Sequence, residues 1–349
     1  MHLLNTLYLT TPESYLRLEN QTLAIEHDHE LKLRVPLHHL NSVVCFGPIQ
    51  LSTPLMHGLA AQGIALVLLD DHGRFQARLE GPTAGNVLLR RAQHHASLDA
   101  TRTLCLARSF VAGKVRNARS LLLRGAREAK SEDDARQLTR QAQNLAASLR
   151  ALPDCADLDT LRGTEGEAAR QHFIGLSLLV RPDAREHFHL NDGRSRRPPR
   201  DRLNALLSFL YSLWMNDCRS GLEAVGLDPQ VGFLHALRPG RAALALDLME
   251  EFRPQAERLA LTLINRQQLR ADDFIAREGG AVSLKPDARK AVLVAFQERK
   301  QEALQHPLLA EPVALGLIPL IQARLLARAI RGEPDADGQP AAYLPFLIK

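Results

Sequence analysis

Paired cysteines, lysine and long apolar runs are scarce in this sequence of 349 residues. Its four cysteines, at positions 45, 105, 155 and 218, form no Cys-x-x-Cys pair, which argues against a zinc site and a disulfide framework. Most lie in apolar surroundings, so we expect reduced core thiols in a cytoplasmic protein. No window approaches the roughly 18 successive apolar residues of a membrane-spanning helix, and no basic N-terminal segment precedes an apolar run. We expect neither export nor a membrane span.

The basic residues are mostly arginine. Of 44 basic residues only seven are lysine, which leaves 37 arginines, and the net charge is +5. A guanidinium group suits bidentate contacts with phosphate. A compositional bias toward arginine would explain the same excess, so the composition favours a nucleic acid partner without establishing one.

The order of patterns along the chain predicts an α+β multidomain protein, since the length exceeds that of one typical domain. The N-terminal part contains segments that alternate apolar with polar residues or form short apolar runs, both typical of strands. A helical spacing over residues 54–63 ends at Gly63, which we expect to be a C-cap. The strand-like segments are residues 7–11, 15–20, 22–28, 42–47 and 63–70.

The pattern becomes helical from about Val87, with Ser131 as the expected N-cap of one helix and Pro153 as its end. Nothing repeats at a fixed period. We therefore predict a small β-rich domain followed by a mostly α-helical domain with a proline-rich C-terminal tail from Gly332. The predicted boundaries are residues 1–85 for the β-rich domain, 86–94 for a linker and 95–349 for the helical domain.

The segment from Gly232 to Pro254 concentrates chemically active side chains. His235 lies twelve residues before Asp247 and fifteen before Glu250. The residues AALAL look strand-like and helical spacing follows them, so we expect Asp247 and Glu250 on one face of the first turn of a helix, where both could address one cation. We expect Glu251 to face solvent. The alternatives are an N-cap aspartate with solvated glutamates, and a hydrogen-bonded core histidine.

A histidine with several carboxylates suits Mg²⁺ or Mn²⁺, whereas zinc is disfavoured because no cysteine is positioned to join. Glu165 and Glu167 precede a run with helical spacing, where the helix N-terminus favours carboxylates. They could equally be ordinary residues of a first helical turn. A metal held by such residues would polarise a phosphodiester oxygen and activate an attacking hydroxyl.

Arginines surround these candidates. Residues 191–202 hold five arginines and two aspartates, a local excess of +3 that could follow a phosphate backbone or simply be solvated. Asn204, Ser208 and Tyr211 recur at helical intervals, and Tyr211 is either a core residue or an active-site group. The candidate DNA contacts are Arg194, Arg196, Arg197, Arg200, Arg238, Arg241 and Arg253.

Several segments resemble the CRISPR-associated integrase and endonuclease family Cas1, and most closely its subtype I-C branch. Their order and spacing over about residues 100–330 support the resemblance more than any single motif does. The segments are AGKVRNARSLLLR, RGTEGEAARQHF, RSRRPPRDRLNALLSFLYSLW, VGFLHALRPGRAALALDLMEEFRP, RLALTLINRQQL and ARKAVLVAFQERK.

The resemblance implies a role for individual residues. It implies that Glu165, His235 and Glu250 hold a divalent metal ion, with Asp247 as a neighbouring carboxylate. It also places the family's active-site tyrosine on Tyr211 and its basic residues on Arg238 and Arg253. The family often has tyrosine where this chain has His172, which affects only the expected local packing.

The resemblance further implies a β-sandwich-like N-terminal domain that forms homodimers, and a complex in which two such dimers flank a dimer of a second protein, Cas2. The implied reaction is a transesterification, in which the 3′-hydroxyl of prespacer DNA attacks the CRISPR repeat with Mg²⁺ or Mn²⁺, alongside DNA cleavage. Without the resemblance, the residues indicate only a metal-dependent phosphodiester enzyme. The alternatives are another metal-dependent nuclease, a tyrosine recombinase that uses Tyr211 as nucleophile, and a non-catalytic DNA-binding scaffold.

Overall fold

The computed structural model describes residues 6–70, 75–79, 81, 87–190, 193–195, 198–309, 312–335 and 337–348. The chain divides into two compact units, Met1–Ala84 with Pro286–Gln297, and Gly85–Lys285 with Glu298–Lys349. The first unit is β-rich and the second mostly helical, which confirms the predicted fold class. Within the described residues, no helix is both long and apolar enough to cross a membrane.

The N-terminal unit is built on two four-stranded sheets among its described residues. Its strands are β1 (Thr6–Leu9), β2 (Tyr15–Glu19), β3 (Thr22–His27), β4 (Glu30–Pro36), β5 (Ser42–Phe46), β6 (Gln50–Leu51), β7 (Ala65–Leu69) and β8 (Phe75–Leu79). One sheet has the order β1-β5-β7-β8, in which β8 alone is antiparallel to its neighbour. The other has the order β4-β3-β2-β6, in which β6 pairs with β2 in parallel.

Both sheets and helix α1 (Thr53–Ala61) contribute to one apolar core, in which Leu16, Val43 and Leu59 are fully buried. Alternation along the strands places these side chains on the inner faces, as the sequence pattern predicts. The C-cap of α1 is Gln62, one residue before the expected position. Gly63 follows it with a φ of 68°, a left-handed conformation that glycine adopts without strain.

The remaining helices are α2 (Val87–Leu98), α3 (Ala100–Glu128), α4 (Glu132–Ala151), α5 (Leu158–Leu178), α6 (Pro182–Arg185), α7 (Arg202–Val225), α8 (Ala243–Met249), α9 (Arg253–Asn265), α10 (Pro286–Gln301) and α11 (Ile318–Arg331). Short antiparallel pairs join β9 (Phe274–Ala276) to β10 (Val282–Leu284) and β11 (Ala303–Gln305) to β12 (Pro312–Ala314). Helices α3, α4 and α5 share a core that includes Val111, Leu145 and Leu161.

Side-chain caps set several helix boundaries. Ser131 accepts a hydrogen bond from the Asp134 amide, which confirms the predicted N-cap. Asp99 caps α3 in the same way and separates it from α2. The predicted linker, 86–94, is helical from Val87, because its buried residues Leu89 and Gln93 lie one helical turn apart.

The prediction that Glu251 faces solvent is wrong: its side chain is fully buried. A 3₁₀ turn, Glu250–Phe252, joins α8 to α9 and turns Glu251 inward. There its carboxylate accepts hydrogen bonds from the Tyr343 hydroxyl, the Gln322 amide at 2.9 Å and the Phe346 backbone N–H at 2.7 Å. The C-terminal tail is thus anchored directly beside Glu250.

We expect stability to depend on pH through Glu251. Burial raises its pKa from 4.5 to about 8, although the three hydrogen bonds oppose that rise. The folded protein then holds a proton that the unfolded chain releases, so the free energy of unfolding falls as pH rises from about 4.5 to about 8, by up to about 1.4 kcal/mol per unit. Denaturant titrations across this range should show a smaller fall for Glu251→Gln. Equal slopes for the two proteins would contradict the assignment.

Candidate active site

Three charged side chains from separate segments meet in the helical unit. Glu165 lies in the middle of α5, not in a first turn as predicted, because Asp157 caps that helix eight residues before Glu165. Glu250 opens the 3₁₀ turn after α8. Between them lies Lys114 of α3, whose Nζ contacts Glu165 Oε1 and is 2.7 Å from Glu250 Oε2. One cation therefore bridges two carboxylates that are 85 residues apart in the sequence.

His235 is held by Asp247. Both Asp247 oxygens accept backbone N–H groups, from Phe233 at 2.6 Å, Leu234 at 3.0 Å and His235 at 2.9 Å. Asp247 Oδ1 also lies 2.7 Å from His235 Nδ1. This turn requires Gly232, since a Cβ atom there would come within 2.8 Å of Asp247 Oδ2. Asp247 is thus a positioning carboxylate for the imidazole.

The placement of Asp247 corrects one expectation. The AALAL segment belongs to α8 and is not a strand, because Ala243, Leu244 and Ala245 are all buried on this short helix. Asp247 lies within α8 and Glu250 follows it, so the two do not share the first turn of a helix. Their carboxylates bind different partners, the backbone turn and the Lys114 ammonium.

The surroundings of Glu250 keep it ionised. Its Oε1 accepts a hydrogen bond from Arg253 Nε at 2.8 Å and lies 3.8 Å from His235 Nε2. Burial acts to raise the pKa of Glu250, but the charges of Arg253, Lys114 and His235 together hold that pKa well below its usual range. His235 Nε2 is directed toward this carboxylate because Nδ1 is engaged by Asp247.

Tyr211 is buried beside the cluster and donates to Glu257 Oε1 at 2.6 Å. The other Glu257 oxygen lies 2.7 Å from His172 Nε2. His172, where the family often has tyrosine, thus forms a buried hydrogen-bond network with Glu257 and Tyr211. Burial and the Glu257 charge raise the pKa of Tyr211 well above its usual value. The guanidinium groups of Arg253 and Arg194 lie 4.7 Å and 5.3 Å from the Tyr211 ring centre.

The five predicted DNA contacts that the structure describes fall into two groups. Arg194 and Arg253 are committed to protein partners, since Arg194 donates to the side chains of Asn204 and Ser208. Arg200 and Arg238 are exposed, and Arg241 is half-buried. Arg196 and Arg197 lie outside the described residues.

Sequence reasoning missed two residues of this site. Lys114 lacks a motif spacing, although a lysine within AGKVRN is notable in a chain dominated by arginine. Arg162 lies one helical turn before Glu165 and donates to the Leu234 carbonyl at 2.9 and 2.7 Å. It thereby ties the helix that carries Glu165 to the turn that carries His235.

The donor set fits a divalent cation, with one rearrangement. Two carboxylates and an imidazole are ligands that Mn²⁺ and Mg²⁺ accept, and the carboxylates already hold the ammonium of Lys114. Among the described residues, no three His, Cys, Asp or Glu side chains are grouped closely enough to hold a metal ion as they stand. Lys114 would have to withdraw from between Glu165 and Glu250.

Comparison with known proteins gives the same family as the motifs. A family model described as CRISPR associated protein Cas1 matches residues 7–298. A protein of Moorella thermoacetica named CRISPR-associated endonuclease Cas1 1 is 54% identical over 351 residues, which cover 100% of both chains.

Solved structures share the fold. A Cas1 protein from Thermotoga maritima superposes with a TM-score of 0.81 at 21% identity, covering 94% of this chain and 98% of that one. A chain of a partial Cas6-RT-Cas1–Cas2 complex gives a TM-score of 0.63 at 25% identity, covering 98% and 99%. The matched family model and the full-length relative show that this chain belongs to the CRISPR-associated Cas1 family.

Proposed function

We propose that this protein is a divalent-metal-dependent DNA endonuclease and integrase that inserts prespacer DNA into a CRISPR array. One observation supports this most directly. The carboxylates of Glu165 and Glu250 hold the ammonium of Lys114 between them, and His235 Nε2 lies 3.8 Å from Glu250 Oε1. The relative that is 54% identical is named an endonuclease.

Glu165, Glu250 and His235 Nε2 would hold Mg²⁺ or Mn²⁺. When bound, the metal would supply Lewis-acid polarisation of a phosphodiester oxygen. Asp247 keeps His235 oriented through Nδ1, and Arg253 keeps Glu250 ionised and in place. Lys114, once released from the carboxylates, would be free to contact the negatively charged phosphate.

In the proposed reaction the 3′-hydroxyl of the prespacer loses its proton and its oxygen forms a new bond to phosphorus. The bond from that phosphorus to the 3′-oxygen of the repeat strand breaks and that oxygen takes up a proton, so the numbers of phosphodiester bonds and of free 3′-hydroxyl groups are unchanged. With water as the attacking group, the same site would cleave DNA. We propose that Arg200, Arg238 and Arg241, together with Arg196 and Arg197, contact the DNA backbone.

The proposed partners are prespacer DNA, the double-stranded CRISPR repeat and leader, a second copy of this chain and Cas2. The similarity to a chain of a Cas1–Cas2 assembly supports the Cas2 partner. We propose that two homodimers flank a Cas2 dimer, that the β-rich unit forms the homodimer, and that the complex acts in the cytoplasm. The subtype I-C assignment stays a prediction.

A tyrosine recombinase mechanism is less consistent with the site. A nucleophilic tyrosine has to reach DNA and lose its proton, whereas Tyr211 is buried, donates to Glu257 and has a raised pKa. A non-catalytic scaffold leaves unexplained why three segments bring Glu165, Glu250 and His235 together.

We expect Glu165→Gln, Glu250→Gln and His235→Ala each to lower strand transfer and cleavage by more than about 100-fold, because each removes a proposed metal ligand. Glu167→Gln is the matched control, since Glu167 lies on the same helix but is exposed and pairs with Arg170 at 2.7 Å. Integration of a labelled prespacer with purified Cas2 and Mn²⁺ measures the effect. Normal integration by any of the three variants would exclude that residue as a ligand.

Tyr211→Phe should retain integration within about tenfold, since it loses one buried hydrogen bond and no reacting group. Denaturing electrophoresis of the reaction should show no covalent protein–DNA product for either protein. A trapped adduct in the wild type that disappears in Tyr211→Phe would refute the metal-dependent mechanism and support the recombinase.

A further inference from the structure

We propose that Arg124, Arg258 and Arg299, with Gln255, form a second anion site that binds a phosphate of the DNA backbone away from the metal site. The proposal extends the proposed function, because it assumes that DNA is the substrate. None of these four residues belongs to the arginine-rich segment 191–202. Arg124, Arg258 and Arg299 lie in three of the segments that carry the family resemblance, but the resemblance assigns no role to them.

Three separate elements bring the arginines together. Arg258 lies one turn after Gln255 on α9, so both side chains emerge on the same side of that helix. Arg299, in the last turn of α10, donates to Gln255 Oε1 at 3.2 Å. Arg124 comes from α3, and its positive charge and that of Arg299 both act on Arg258.

The cluster has more hydrogen-bond donors than acceptors. Among the residues that the structure describes, the Arg258 guanidinium has neither a hydrogen bond nor an ion pair. Arg299 Nε is buried without an acceptor, and so is Gln255 Nε2, whose side chain is only 1% exposed. Buried donors are normally satisfied, so this surplus points to an acceptor from outside the chain.

The charge of the cluster points to an anion. Arg124 pairs with Glu128 at 2.8 Å and Arg299 pairs with Glu302, so the two carboxylates are engaged by the other arginines and the Arg258 side chain has no direct partner among the described residues. Half-burial and the charges of Arg299 and Arg124 lower the pKa of Arg258, and the charges of Glu302 and Glu128 offset only part of that effect. A phosphate offers several acceptor oxygens and a negative charge, which matches three guanidinium groups better than a neutral ligand does.

The position suits DNA that also reaches the metal site. Lys114 and Arg124 lie ten residues apart on the continuous helix α3, or about 15 Å along its axis. That separation corresponds to roughly four base pairs along a duplex. A duplex bound at Glu165 and Glu250 therefore has phosphates spaced to reach Arg124, the member of the cluster that lies on α3.

The test is DNA binding by the full-length protein in EDTA over a series of salt concentrations, measured by fluorescence anisotropy of a labelled duplex. Arg258→Gln should reduce the slope of log affinity against log salt by about one, and Arg258→Glu by more. Arg136→Gln is the control, because Arg136 is an exposed arginine on α4 that pairs with Asp133 at 3.4 Å. It should leave the slope unchanged.

Thermal unfolding separates this role from a structural one. Arg258→Gln should not lower Tm, because the Arg258 side chain has no direct partner among the described residues and lies beside two other arginines, whereas a structurally required arginine would give a lower Tm. An unchanged salt slope in Arg258→Gln would overturn the proposal. A different outcome is that inorganic phosphate raises the Tm of the wild type but not that of Arg258→Gln, while the two proteins show the same salt slope for DNA binding. In that case the site binds free phosphate, and DNA is excluded as its ligand.

The metal-free assay keeps this proposal distinct from the proposed function. Glu250→Gln should retain the wild-type salt slope while losing strand transfer. If the wild type and Arg258→Gln show the same slope of log affinity against log salt, that result counts against the phosphate site alone. Normal integration by Glu250→Gln counts against the metal mechanism alone.

Discussion

The ion pairs of Lys114 with Glu165 and Glu250 are the interaction on which the site depends. Two carboxylates held close together in a partly buried position repel each other unless a cation lies between them. In this chain the ammonium of Lys114 supplies that cation, 2.7 Å from Glu250 Oε2. A divalent ion would supply it more strongly, and its arrival would release Lys114 toward the substrate. The lysine would therefore keep the proposed metal ligands assembled before a metal binds.

Other contacts within the helical unit hold these residues in position. Arg162 and Asp247 fix the turn that carries His235, one through the Leu234 carbonyl and the other through three backbone N–H groups. On the other side of Glu250, the tail is anchored to Glu251, and Phe252 stacks on Trp214 with ring centres 5.0 Å apart. Small errors in the placement of the proposed ligands would be costly for the proposed reaction, and these buried polar contacts restrain the turn that carries them.

Sequence patterns were sufficient where they report local structure. The alternation in residues 15–20 and 22–28 predicted strands, and Ser131 predicted a helix start, because both signals depend on near neighbours. Strand β4 was not predicted, although Leu31, Leu33 and Val35 alternate with polar residues; Leu31 and Leu33 are exposed, and Val35 packs against the core. Glu251 was misplaced because its burial depends on tail residues more than 90 positions away. Lys114 was missed because only tertiary packing brings its helix to the carboxylates.

The most direct test of this account is the affinity of the DNA-free protein for Mn²⁺, measured by electron paramagnetic resonance, in the wild type and in Lys114→Met. Methionine keeps most of the side-chain volume and removes the competing charge. The account predicts that Lys114→Met binds Mn²⁺ about tenfold more tightly, equivalent to about 1.4 kcal/mol, and that Glu250→Gln abolishes binding in both backgrounds. Equal or weaker binding by Lys114→Met would contradict the claim that Lys114 holds the metal position.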